Sequence, residues 1–138
     1  VAVMATRALA EVDPARAMQA YDRIVADFSP DERPLRRASA LLGRGRLHAR
    51  AGDLVAAERD WMEGAALFED PRPEMRDDQW RVDSRSELWG LFRELIQVRE
   101  SDPVAALEVA ERSRGRALLD ARARGAGACA ARVRTAST

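Results

Sequence analysis

Apolar side chains return every three or four positions in successive stretches of this chain, the spacing of helices that each turn one face away from water. Residues 1–12 carry Val3, Met4, Ala8 and Leu9 in this way. Asp13-Pro14 follows, an acid able to accept backbone N–H bonds and a proline whose fixed φ suits the first helical position, so a second helix starts at Pro14. Its stripe is Ala17, Tyr21, Ile24, Val25 and Phe28. Two prolines in 29–34 interrupt the period and mark a short linker. A third helix is expected over 34–51, with Leu35, Ala38, Leu41, Leu42, Gly45 and His48 inward. A fourth is expected over 54–68, burying Leu54, Ala57, Trp61, Gly64, Ala65 and Phe68. Gly52-Asp53 ends one and caps the other, and so short a connection forces the two helices antiparallel.

The period is lost over 69–83, where Pro71, Pro73 and scattered charge predict a long loop around a solitary Trp80. Over 69–87 seven acids face four arginines. Trp80 is read as folding back over the end of the helical stack, with an exposed partner anchor as the alternative. Ser84-Arg85-Ser86-Glu87 has the form of a capping box, so a fifth helix starts near Arg85 and buries Leu88, Leu91, Phe92, Leu95 and Ile96. Ser101-Asp102-Pro103 closes it and opens a sixth, which carries small residues in place of a large apolar stripe. The domain is expected to span 1–121. Residues 122–138, rich in Ala, Arg and Gly, lack apolar side chains to offset ordering entropy and are expected to form a flexible tail.

Three helices repeat one pattern of small and larger residues: Ala17-Tyr21-Ile24, Ala57-Trp61-Gly64 and Ala106-Ala110-Ser113, each about one turn after an acid (Asp13, Asp53, Asp102). The second, with Gly45 upstream and Gly52-Asp53 between, resembles the tetratricopeptide repeat, in which small residues let paired helices approach and an aromatic wedges between them. The units recur at 40 positions (17 to 57) and 49 (57 to 106), longer than the regular repeat of about 34. Arg44 and His48 stand where that repeat usually has apolar or aromatic residues. The resemblance implies an all-α, tetratricopeptide-like stack of about six antiparallel helices in three hairpins, right-handed in its superhelix. Each hairpin exposes an apolar face that its neighbour covers.

Ala106-Leu107-Glu108-Val109-Ala110-Glu111-Arg112-Ser113-Arg114-Gly115-Arg116-Ala117-Leu118-Leu119-Asp120 resembles the last repeat helix of bacterial proteins that join tetratricopeptide repeats to a CHAT domain, a caspase-like peptidase. That resemblance implies a regulatory platform that binds protein and controls a neighbouring peptidase. The peptidase itself would lie outside this chain, whose Val1 start is compatible either with a fragment or with a GTG start codon.

Composition narrows the chemistry. All 23 basic residues are arginine against 23 acids, so no net field favours nucleic acid or an acidic membrane. The arginine and alanine usage suggests a GC-rich bacterial genome. No apolar run approaches the roughly 20 residues of a membrane span, and the single cysteine suits a reducing compartment, so a cytoplasmic location is expected. One His and one Cys cannot build a metal site, and no cofactor motif is present. His48 and Cys129 are the one conceivable nucleophilic pair, but His48 belongs to a packed helix face and Cys129 to the expected tail, so no catalysis is expected. The expected function is protein–protein interaction, through a groove lined by the first helix of each pair. Arg46, Arg50, Arg93 and Gln97 are the candidate partner-binding residues, suited to acidic or carboxylate-bearing peptides. The alternative is weak nucleic-acid binding through 112–138, where seven arginines face one acid, with Arg112, Arg114 and Arg116 equally suited to contacting acids of the stack.

Overall fold

The computed structural model describes residues 2–30, 33–69 and 86–136. The described residues form helices α1 (Ala2–Val12), α2 (Pro14–Asp27), α3 (Pro34–Arg50), α4 (Leu54–Glu69), α5 (Gly90–Val98) and α6 (Pro103–Ala136), with a short helical segment at 86–88 leading into α5, and the fold is all-α. Trp80 and the loop expected around it, together with the first half of the capping box, lie outside the described residues.

The acids at the turns act as expected. Asp13 Oδ1 accepts from the Arg16 amide at 3.0 Å, Asp53 Oδ1 from the Ala56 amide at 3.0 Å, and Asp102 Oδ1 from the Ala105 amide at 3.2 Å. Each such cap stabilises a helix start by about 1 kcal/mol. Gly52 adopts φ 86°, the one left-handed residue among those described, which lets the chain reverse between α3 and α4 within three residues.

Helices pack mainly on their neighbours in sequence, with α3 and α4 the most extensively apposed pair and α1 also reaching α3. The core has two parts. One joins α1, α2 and α3 through Ala10, Ala17, Tyr21, Ile24, Val25, Ala40, Leu41 and Leu47. The other joins α3 to α6 through Ala38, Leu42, Ala57, Trp61, Ala65, Phe68, Leu88, Leu91, Phe92, Leu95 and Val109. Helix α3 serves both, which is why it is buried on more than one face. The second part is closed by an aromatic cluster in which Phe68 meets Trp89 edge-on at 5.4 Å and Phe92 at 6.0 Å.

Close approach of α3 and α4 depends on Gly45. A side chain there would collide with the Trp61 indole, whose Nε1–H donates to the Leu42 carbonyl at 3.3 Å. Arg37 fastens α2 to the same pair: it donates to the carbonyls of Val25 and Phe28 at the end of α2 and pairs with Glu63 of α4. Cationic capping of helix carbonyls in this way is favourable.

Three sequence expectations change. Leu54 is 53% exposed, because the first residue of α4 sits at the open end of the hairpin. The sixth helix packs through Val109, fully buried, while Ala106, Ala110 and Ser113 flank it half-buried. That helix also continues to Ala136, past the expected boundary at Ala121. Alanine and arginine have high intrinsic helix propensity, so local hydrogen bonding extends the helix without an apolar stripe.

Candidate functional site

Helices α1, α3 and α5 come together on one side of the fold, and a cleft of about 340 Å³ opens there. Its walls are charged. Arg7 and Glu11 come from α1, Arg46 and Arg50 from α3, Glu94 from α5 and Glu87 from the segment just before it. Of the four residues expected from sequence, Arg46 and Arg50 line this cleft. Arg93 and Gln97 are exposed on α5 and are not among its lining residues. The α5 side is instead supplied by Glu87 and Glu94, seven positions apart and therefore on one helical face at the edge of the Leu88–Leu91–Leu95 stripe. That spacing was visible in the sequence, but so were many scattered carboxylates on solvated faces.

Each cleft arginine meets a glutamate from another element. Arg7 Nη1 lies 3.1 Å from Glu87 Oε1, Arg46 Nε 2.7 Å from Glu94 Oε1, and Arg50 Nη2 2.8 Å from Glu11 Oε1. The lining thus has local charge balance, three cations against three anions, and its field is dipolar rather than positive. The Arg50–Glu11 pair is more than half exposed on both sides, 55% and 68%. Exposed pairs contribute little, so Arg50→Ala should change unfolding free energy by less than about 1 kcal/mol in urea titrations. A larger loss would mean that Arg50 carries packing the geometry does not display.

At the floor of the cleft lies Tyr21, only 2% exposed, with Gly43 directly beside its ring. Burial, and secondarily the Glu87 carboxylate, raise the tyrosine pKa above its ordinary value, while Arg7 and Arg46 act in the opposite sense. The phenol is held in its protonated, donor form.

On the side of α3 toward α2 and α4 is a second polar group that sequence reading missed. Asp60 of α4 is 1% exposed and accepts from Arg44 twice, Nε to Oδ2 at 2.7 Å and Nη2 to Oδ1 at 2.8 Å. Arg44 Nη1 also donates to Asp22 of α2 at 3.0 Å, and His48 Nε2 stands 3.8 Å from Asp60 Oδ2. The hydrogen bonds that Arg44 donates to Asp60 raise its pKa, against the opposing effect of burial. Arg44 and His48, out of place in the repeat pattern, are thus both directed at one buried carboxylate. This arrangement ties α2, α3 and α4 together. Cys129 lies on α6, and its side chain is outside the described residues.

The arginines of α6 meet acids. Arg112 grips Glu69 at the end of α4 through Nε at 3.0 Å and Nη2 at 2.9 Å, Arg114 pairs with Glu111, and Arg116 pairs with Asp120 while stacking 5.1 Å over Phe68. Among the described residues no group of three His, Cys, Asp or Glu could hold a metal ion, and no helix is long and apolar enough to cross a membrane. Comparison with family models, with curated proteins and with solved structures gave no match to this chain.

Proposed function

We propose that this chain is a tetratricopeptide-like, right-handed stack of three helical hairpins that serves as a protein-interaction module, with no catalysis of its own, and receives a segment of a partner protein in the cleft across α1, α3 and α5. The observation that carries this reading is the cleft itself. It is concave, walled by charged side chains from three successive first helices, and large enough for a few residues of an extended segment. The family resemblance of the sixth helix adds a regulatory role beside a CHAT peptidase, in a bacterial cytoplasm. Because every cleft arginine already sits on a glutamate, the partner segment need not be acidic; mixed or neutral polarity fits better.

Selection from a displayed library of random peptides tests this. Peptides that bind the wild-type chain should lose affinity by about tenfold or more, some 1.4 kcal/mol, when Arg46 or Glu94 becomes alanine. Peptides whose binding ignores both substitutions would place the interaction elsewhere and overturn the reading. Nucleic-acid binding through 112–138 is the weaker alternative, since Arg112, Arg114 and Arg116 are occupied by Glu69, Glu111 and Asp120. A gel shift at low salt that disappears on changing Arg122 and Arg124 to alanine would restore it.

A further inference from the structure

Helix α6 packs on the rest of the fold with one face only. Val109 is fully buried on that face, while Val104, Leu107 and Leu118, on the opposite side of the helix, are 69%, 58% and 71% exposed. These three recur with Glu111, Arg114 and Ala121 at alternating steps of three and four residues, the a and d positions of a heptad, and all six are exposed. Gly115 lies beside this seam. A Cβ there would meet nothing within 4 Å, whereas one at Gly43, Gly45, Gly64 or Gly90 would press on a packed side chain. Glycine weakens a helix interior, and at Gly115 it leaves room for a neighbouring helix to approach.

The seam is complementary to itself. In an antiparallel pair of such helices a faces d, so Val104 meets Ala121, Leu107 meets Leu118 and Glu111 meets Arg114, and all three pairs share one midpoint, between Arg112 and Ser113. A parallel pair would set Glu111 on Glu111 and Arg114 on Arg114. Within one chain Glu111 and Arg114 already lie 2.7 Å apart, 58% and 74% exposed. A second copy turned end for end lays the same pair over it with the charges reversed, and a polar layer between two apolar ones fixes register. We propose that α6 joins two copies of this chain in an antiparallel, two-fold pair over residues 104–121. Two-fold symmetry supplies each position with its complement, where an unrelated partner would have to reproduce the whole alternation. No residue of α6 lines the cleft across α1, α3 and α5, so this contact is independent of what the cleft binds. A helix pair of about 27 Å is a small interface, and a dissociation constant on the order of 10 μM is expected.

Sedimentation velocity of the whole chain, from roughly 1 to 300 μM, should show a monomer–dimer equilibrium. Leu118→Glu changes an exposed residue, should leave the circular dichroism spectrum and melting temperature as in wild type, and should weaken the dimer about tenfold or more because symmetry enters the substitution twice. Arg114→Glu sets acids against acids and should weaken it in the same way, while Glu111→Arg combined with Arg114→Glu should restore it, since each acid again faces an arginine. Orientation is read by cross-linking in a Cys129→Ser background: a mixture of Leu107→Cys and Leu118→Cys chains should form a disulfide-linked dimer that Leu107→Cys alone does not. A monomer at every concentration, as expected if another protein covers this face, would overturn the proposal. So would a dimer that ignores Leu118→Glu or Arg114→Glu, a double exchange that restores nothing, or a Leu107→Cys chain that cross-links to itself.

Discussion

Trp61→Ala should lower the unfolding free energy by about 3–5 kcal/mol, read as a shift of the urea midpoint with little change in slope. The indole is 2% exposed, lies against Gly45 of the facing helix, and donates to the Leu42 carbonyl. Removing it leaves a cavity between α3 and α4 and takes a second donor from the Leu42 carbonyl, which keeps its bond within α3. Relaxation is limited because Gly45 carries no side chain to fall into the space. Domains of this size are stable by roughly 5–15 kcal/mol, so the variant should sit near the edge of folding at 37 °C. Trp61→Phe, which keeps most of the volume and loses the N–H, should show a smaller loss. A Trp61→Ala midpoint equal to wild type would mean that this interface does not hold the hairpin together.

Asp60→Ala is the second large effect, about 3 kcal/mol or more, from a residue whose sequence position suggests an ordinary surface acid. The loss comes from the partner left behind: Arg44 has a side chain 16% exposed and would keep only the Asp22 contact, itself more than half exposed. Taking both ions away tests that cause. The double variant Arg44→Met with Asp60→Leu should recover most of the stability, because two apolar residues of similar volume need no solvent or counter-charge. A double-mutant cycle by urea denaturation measures the coupling. If Asp60→Ala is as mild as Arg50→Ala, the buried pair is not what registers α4 against α3. Salt should matter little to this pair and more to Arg50–Glu11, since burial limits screening.

The contrast between these two carboxylates shows how far local pattern extends. Glu11 and Asp60 look alike in sequence, each an acid in an amphipathic helix. One ends up 68% exposed beside Arg50 and the other 1% exposed beneath Arg44. Helical period places Asp60 next to Trp61 on the inward side, but an acid on that side is assigned to solvent unless its counter-ion is known. That counter-ion lies 16 residues upstream on another helix. Arg93 and Gln97 lie outside the cleft lining for a related reason: the period defines the buried stripe of α5 well, yet which flank of that stripe faces the cleft depends on how α5 is rotated against α3.

By itself, the sequence determined what is local. Helices of one-sided apolarity, the acids that cap three of them at Asp13, Asp53 and Asp102, the glycine that reverses the chain at Gly52 and the small residues beneath Trp61 all act within a few residues or through a helical period, so their spacing carries them. Tertiary structure alone decided which charges meet. Arg46 and Glu94 are 48 residues apart and Arg7 and Glu87 are 80 apart, and no periodicity relates such positions. The same holds for the Tyr21 hydroxyl, set into the cleft by a glycine on a different helix. Charge pairs over such separations follow from how rigid helices rotate and slide as their apolar faces close, and that packing converts scattered surface arginines and glutamates into a balanced cleft.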